Sequence, residues 1–169
     1  MTTHELQSFL ATWDHEAGST VRVLRSLPAG KYDFRAYPEG RTLAEQAWHL
    51  AGIDAVMAHS VATGKLDFTV KLPGLEQPRT VAELAGGYER VHAASRAQVA
   101  ALGPAELERK LASPMGTTVS VSEVLWGWLL HHAIHHRGQL TLMCRLAGGT
   151  PPGIYGPTRE EMAARQAKG

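Results

Sequence analysis

The chain holds one cysteine in 169 residues, Cys144. That excludes an internal disulfide framework and any cysteine-rich zinc site. Placed between Met143 and Arg145 inside a helical pattern, the thiol reads as a packing group. Net charge is nearly absent: 17 basic and 16 acidic side chains leave +1. No long basic run appears, which argues against a nucleic-acid surface, where Lys and Arg cluster. There is no stretch of about twenty apolar residues, the length that crosses a bilayer. Met1 to Gln7 is polar and runs straight into an amphipathic pattern, unlike a signal peptide. A cytoplasmic protein with neither nucleic-acid nor membrane partners is therefore expected. No Ser-His-Asp arrangement, phosphate-cradling glycine loop or paired-carboxylate motif stands out.

Helix is what the sequence has in quantity. Four segments carry the spacing of a capping box, in which Ser or Thr and a Glu three residues later bond each other's backbone N–H groups. They are Thr2-Thr3-His4-Glu5, Thr42-Leu43-Ala44-Glu45, Thr80-Val81-Ala82-Glu83 and Ser120-Val121-Ser122-Glu123. Each precedes a periodic apolar stretch ending near a breaker: Pro28 and Gly30, Gly64, Gly103-Pro104, and Gly148-Gly149. Helices are thus expected near 3–27, 42–63, 80–102 and 120–147, with a short one near 104–111. Residues 66–72 alternate weakly and suit a short extended piece. The pattern predicts an all-α fold, a four-helix bundle forming a single domain over 1–169. Its long connections, 28–41 and 64–79, permit neighbours that are not consecutive in sequence.

Four of the nine histidines fall within residues 131–136, in Trp128-Leu129-Leu130-His131-His132-Ala133-Ile134-His135-His136. On an α-helix His131/His135 and His132/His136 are two i,i+4 pairs, each on one face and each able to grip one metal ion. Imidazole is largely neutral at pH 7 and a common metal ligand. Unpartnered, buried imidazole nitrogens would cost roughly 1–3 kcal/mol each, so a metal accounts for the cluster better than a merely satisfied core does. Periodicity does not choose between the pairs. The 132/136 stripe continues through Leu125, Leu129, Leu140 and Met143, the 131/135 stripe through Val124, Trp128, Leu142 and Leu146, and both look buried. A third ligand is expected from a facing helix. His49 is the best placed, mid-helix with Gly52 and Ile53 on its own face, where a small residue permits close backbone approach. His4, His15, His59 and His92 read as solvated or satisfied side chains.

The segment His132-Ala133-Ile134-His135-His136-Arg137-Gly138-Gln139-Leu140, with Ala47-Trp48-His49-Leu50 before it, resembles the DinB-like metal-binding proteins. Supporting pieces are Gly30-Lys31 to Tyr37-Pro38 and the stretch from Gly149 to Pro157. The resemblance implies that His-x-x-x-His-Arg-Gly-Gln supplies two ligands and the second helix a third, which selects His132, His136 and His49. It also implies a four-helix bundle, a homodimer, and nickel or zinc as the ion. The roles of His131 and His135 stay open.

Three neutral imidazoles leave a divalent ion its full charge and at least one open position, the arrangement of a catalytic site. Such an ion lowers the pKa of a bound water or thiol by several units. Ring orientation requires partners for the other imidazole nitrogens; Gln46, Asp54 and Gln139 are candidates. Arg137 either pairs with a surface acid or steers an anionic substrate, the pairing being favoured. Trp13, Trp48, Trp126 and Trp128 read as core or interface filler, and Tyr155 as a structural anchor folded back over a neighbouring surface or dimer mate. By resemblance the chain is a metal-dependent enzyme acting on a small molecule, a transferase of low-molecular-weight thiols or an isomerase using one, with a hydrolase as near variant. The alternative is a non-catalytic metal-binding or stress-response protein. A fourth protein ligand, His135 or His59, would mark that alternative.

Overall fold

Helix α1 (Thr3–Arg25) starts where the Thr2 hydroxyl accepts the Glu5 backbone N–H at 3.1 Å. The Glu5 carboxylate does not return the bond; it accepts the Ser122 hydroxyl at 2.5 Å, tying α1 to a distant helix start. The computed structural model describes residues 1–167, so 168–169 of the expected domain lie outside the described residues. At the start of α2 (Leu43–Thr63) the box is reciprocal, Thr42 N–H to Glu45 at 2.7 Å and Glu45 N–H to Thr42 at 3.0 Å. The helix stops at Gly64, whose φ of +79° suits a residue without a Cβ. Helix α3 (Val81–Ala100) opens with the Thr80 N–H and hydroxyl both donating to Glu83.

The predicted helix near 104–111 is only the single turn α4 (Pro104–Leu107). The chain then becomes β1 (Lys110–Ala112), paired antiparallel with β2 (Thr118–Ser120), Leu111 opposite Val119. Strands of three residues are too short for alternation to show in sequence. Residues 66–72, where an extended piece was expected, form turns and irregular chain instead. The expected helix at 120–147 is three pieces run together: α5 (Val121–Glu123), a π-helical segment (Val124–His131) and α6 (His132–Leu146). A last helix, α7 (Arg159–Gln166), was not anticipated, although Thr158 and Glu161 cap it with the same spacing as the other boxes.

Helix α1 packs mainly on α3 and α6, and α2 likewise packs on α3 and α6. Around the bundle the order is therefore α1, α3, α2, α6, with the two consecutive helices α1 and α2 on opposite corners. The long connections make this possible. The core between them is continuous, with Phe9, Trp13, Leu50, Leu84, Leu129 and Leu140 among its fully buried members. Close packing of α2 on α3 depends on Gly87, where an added Cβ would lie 2.9 Å from the Trp48 ring. No described helix is long and apolar enough to cross a membrane.

Candidate metal centre

Two elements meet at the histidine cluster. Helix α2 presents His49 from its second turn, and α6 presents His132 as its first residue and His136 one turn on. The three rings gather with centroid separations of 4.5 Å for His49 and His136, 4.6 Å for His132 and His136, and 5.6 Å for His49 and His132. One ring nitrogen from each lies within 4.8 Å of the others, and no further His, Cys, Asp or Glu joins this group among the described residues. The structure thus brings together the three residues selected from sequence. It leaves out both candidates for a fourth. His135 is exposed beside Gln139, and His59 lines a separate cleft with Arg90 and Gln98.

Burial drives the His49 imidazole from 6.5 down to about 3, with the Arg41 charge and the two neighbouring histidines adding to the effect. Burial likewise lowers His132, helped by His135 and Arg41, and lowers His136 against the opposing pull of Gln139. All three rings are accordingly neutral at pH 7, the state in which imidazole donates a lone pair to a metal. The partner atoms then fix which nitrogen is free. Gln139 Oε1 lies 2.7 Å from His136 Nδ1, and Gln46 Nε2 donates both to that same Oε1 at 3.1 Å and to the His136 carbonyl at 3.1 Å. Gln46 Nε2 also lies 3.0 Å from Nδ1, but the shorter contact is to Gln139 Oε1, an acceptor; with the proton on Nδ1, His136 Nε2 is left bare. The Trp128 backbone pulls the other way on His132, without outweighing burial. The backbone N–H of His132 donates to the Gly127 and Leu129 carbonyls at the end of the π-helical segment. His49 Nε2 is different: it is buried and has no hydrogen-bond partner. An orphaned polar atom of this kind costs roughly 1–3 kcal/mol unless something outside the chain completes it. Three neutral imidazole nitrogens gathered in this way are a donor set that would suit zinc or a similar divalent ion.

Other expectations change on contact with the structure. Of the three proposed ring-orienting residues, Gln46 and Gln139 serve His136, but Asp54 does not. It is fully buried on the far side of α2, accepting from Trp13 Nε1 at 3.3 Å and pairing with His92 Nδ1 at 2.9 Å. The 131/135 stripe is not buried as supposed, since Leu142 and Leu146 on it are 59% and 57% exposed. Gly52 does not serve close helix approach, because a Cβ there would meet nothing within 4 Å. It borders a cavity of about 470 Å³ that opens on His49 and His132 and is walled by Ile53, Met57, Phe68 and Trp128. Trp128 is therefore a cavity wall and not filler, whereas Trp13 and Trp48 are core. Arg137 steers nothing: it is buried, donating to the Glu16 carbonyl at 2.8 Å and carboxylate at 2.5 Å, and to the Tyr155 hydroxyl at 2.5 Å. Its acid is a largely buried residue of α1, not a surface one, and Tyr155 is anchored within its own chain, also donating to Glu16 at 2.7 Å.

The fold has counterparts among known proteins. A match to the DinB family spans residues 1–168. The chain belongs to the DinB family. YrdA of Bacillus subtilis (strain 168) is 35% identical over 163 residues, 94% of this chain and 92% of that protein. Among solved structures, a DinB-like protein from Bacillus cereus ATCC 10987 superposes with a TM-score of 0.71 at 27% identity, covering 88% of this chain and 97% of its own. YfiT from Bacillus subtilis, described as a probable metal-dependent hydrolase with an unusual four-helix bundle topology, superposes with a TM-score of 0.63. Its identity is 12%, with 89% of this chain and 91% of that chain covered, so the likeness is one of fold.

Proposed function

We propose that this DinB-family protein is a divalent-metal-dependent enzyme acting on a small molecule, with His49, His132 and His136 holding the ion. The observation that carries the reading is the His49 Nε2 atom, buried without a partner beside two further neutral imidazoles, at the mouth of a cavity. A structural ion needs no cavity, and a structural site closes with a fourth protein ligand. Here the cluster offers three ligands and borders open space. When bound, nickel or zinc would supply a Lewis acid able to acidify a coordinated water or thiol near neutral pH. The chain's own residues do the holding. Gln139 fixes the His136 tautomer, Gln46 fixes Gln139, and burial keeps all three rings unprotonated.

Thiol transfer, by the resemblance of the His-x-x-x-His-Arg-Gly-Gln segment, is the finer reading, and hydrolysis, supported by the description of YfiT, is its variant. Both dispense with a protein nucleophile. Cys144, the sole thiol, is buried, and burial raises its pKa. The test joins elemental analysis of the purified protein with a screen of low-molecular-weight thiols against electrophiles and of esters and amides against water. About one nickel or zinc per chain, lost in His49→Ala, and turnover that disappears with it are expected. Full metal content in His49→Ala would refute the triad.

A further inference from the structure

We infer that the substrate group brought to the triad is uncharged and apolar, an aryl or branched alkyl group seated in the cavity beside His49 and His132; this rests on the metal-enzyme reading above. The cavity's size, about 470 Å³, is that of a small-molecule site and not of a protein interface. Apart from His49 and His132, every described residue lining it is apolar, and no Asp, Glu, Lys or Arg reaches it. A charge buried there would lose its hydration and find no partner. The charged and amide groups near the triad lie on the other side, where Glu39, Arg41, Gln46 and Gln139 line a separate cleft with His136. The two sides of the cluster therefore differ in polarity, and only the apolar one is lined by His49, the residue with the orphaned nitrogen.

Gly52 sharpens the inference. Glycine inside a helix is a poorer choice than alanine. Nothing in the structure requires it at 52, since its φ is ordinary and an added Cβ would meet no atom within 4 Å. What the missing side chain provides is volume in the cavity floor, one turn from His49. Across that space the rings of Phe68 and Trp128 form a tilted pair, 5.8 Å between centroids, and Trp128 is carried by the π-helical segment that ends at His132. An aromatic wall, an emptied floor and two metal-facing imidazoles describe a slot for a flat or branched apolar group whose reacting atom points at the histidines.

The test compares two fluorescent probes sharing one skeleton, N-phenyl-1-naphthylamine, which is neutral, and 8-anilino-1-naphthalenesulfonate, which carries a charge. Both are titrated into the full chain loaded with zinc. The neutral probe should bind saturably and roughly tenfold more tightly than the sulfonate. Gly52→Leu, which fills the floor, should weaken the neutral probe by roughly tenfold or more while zinc content and thermal midpoint hold. Gly52→Ala should give an intermediate loss, covering the case in which the leucine variant fails to fold. His49→Ala should abolish zinc binding yet retain the neutral probe, so a failure of the metal reading and a failure of the pocket are read separately. Equal binding of the neutral probe by wild type and Gly52→Leu, or preference for the sulfonate, would overturn the inference.

Discussion

A single proton on His136 Nδ1 decides whether that ring can serve a metal. The Gln139 Oε1 atom, 2.7 Å away, holds the proton there, and the Gln46 amide holds Gln139. Gln139→Ala should accordingly lower zinc affinity by roughly 10- to 100-fold, the usual cost of losing such a partner, while the fold stays intact; competition against a chelator measures it. An unchanged affinity would mean the ring is held by packing alone. Arg137, next to His136 in sequence, illustrates the opposite role. Its guanidinium is buried on Glu16, so Glu16→Gln removes one partner of an enclosed pair and should cost about 3 kcal/mol in urea unfolding, whereas Tyr155→Phe, which removes one neutral donor, should cost about 1 kcal/mol. The histidines were legible because their chemistry is unusual for an apolar helix and their spacing is local. Glu16 and Asp54 were not, since which acid meets which base is set by partners 121 and 38 residues away.

Helix starts were legible for the same local reason: a capping box is complete within four residues. The boxes at 42 and 120 formed, those at 2 and 80 formed by half, and the one at 158 starts a helix beyond the four main helices expected. The π-helical segment was not legible, because an ideal 3.6-residue period assigns faces that a wider turn displaces. That displacement explains why the two histidine stripes looked equivalent in sequence while one of them runs out into solvent at Leu142 and Leu146. The helix-to-helix scale also holds a stability prediction. Gly87 lets α3 lie against Trp48, whose indole N–H donates to the Leu75 carbonyl at 2.9 Å. Gly87→Ala ought to raise helix propensity yet lower the unfolding free energy by about 1–3 kcal/mol, as an overpacked contact forces Trp48 aside. Stabilisation on chemical denaturation would show that the indole relaxes freely.

Across the whole molecule, His92 is the residue that joins three of the four long helices. From α3 it reaches Asp54 on α2 at 2.9 Å and Asp14 on α1 at 3.3 Å, while Arg96 shares Asp14. Burial opposes the charged ring, but the hydrogen bonds and charges of Asp54 and Asp14 outweigh it, and the net effect raises its pKa above 6.5. The folded chain therefore binds this proton more tightly than the unfolded chain does. The resulting stability is complete below pH 6.5, where both states are protonated, and is lost as pH rises through the folded value. The clustered histidines 49, 132 and 136 push the other way, since their lowered values make the folded state lose stability as pH falls. Wild type alone would show the sum of these trends. The difference between wild type and His92→Gln isolates the three-helix contact, and it should favour wild type at pH 5.5–6.5 and shrink steadily above about 6.5. Thermal unfolding of both proteins in the metal-free state across that range provides the measurement. A difference that stays flat, or grows with pH, would mean that His92 is held neutral between its two carboxylates, and that α1, α2 and α3 are joined there by hydrogen bonds alone.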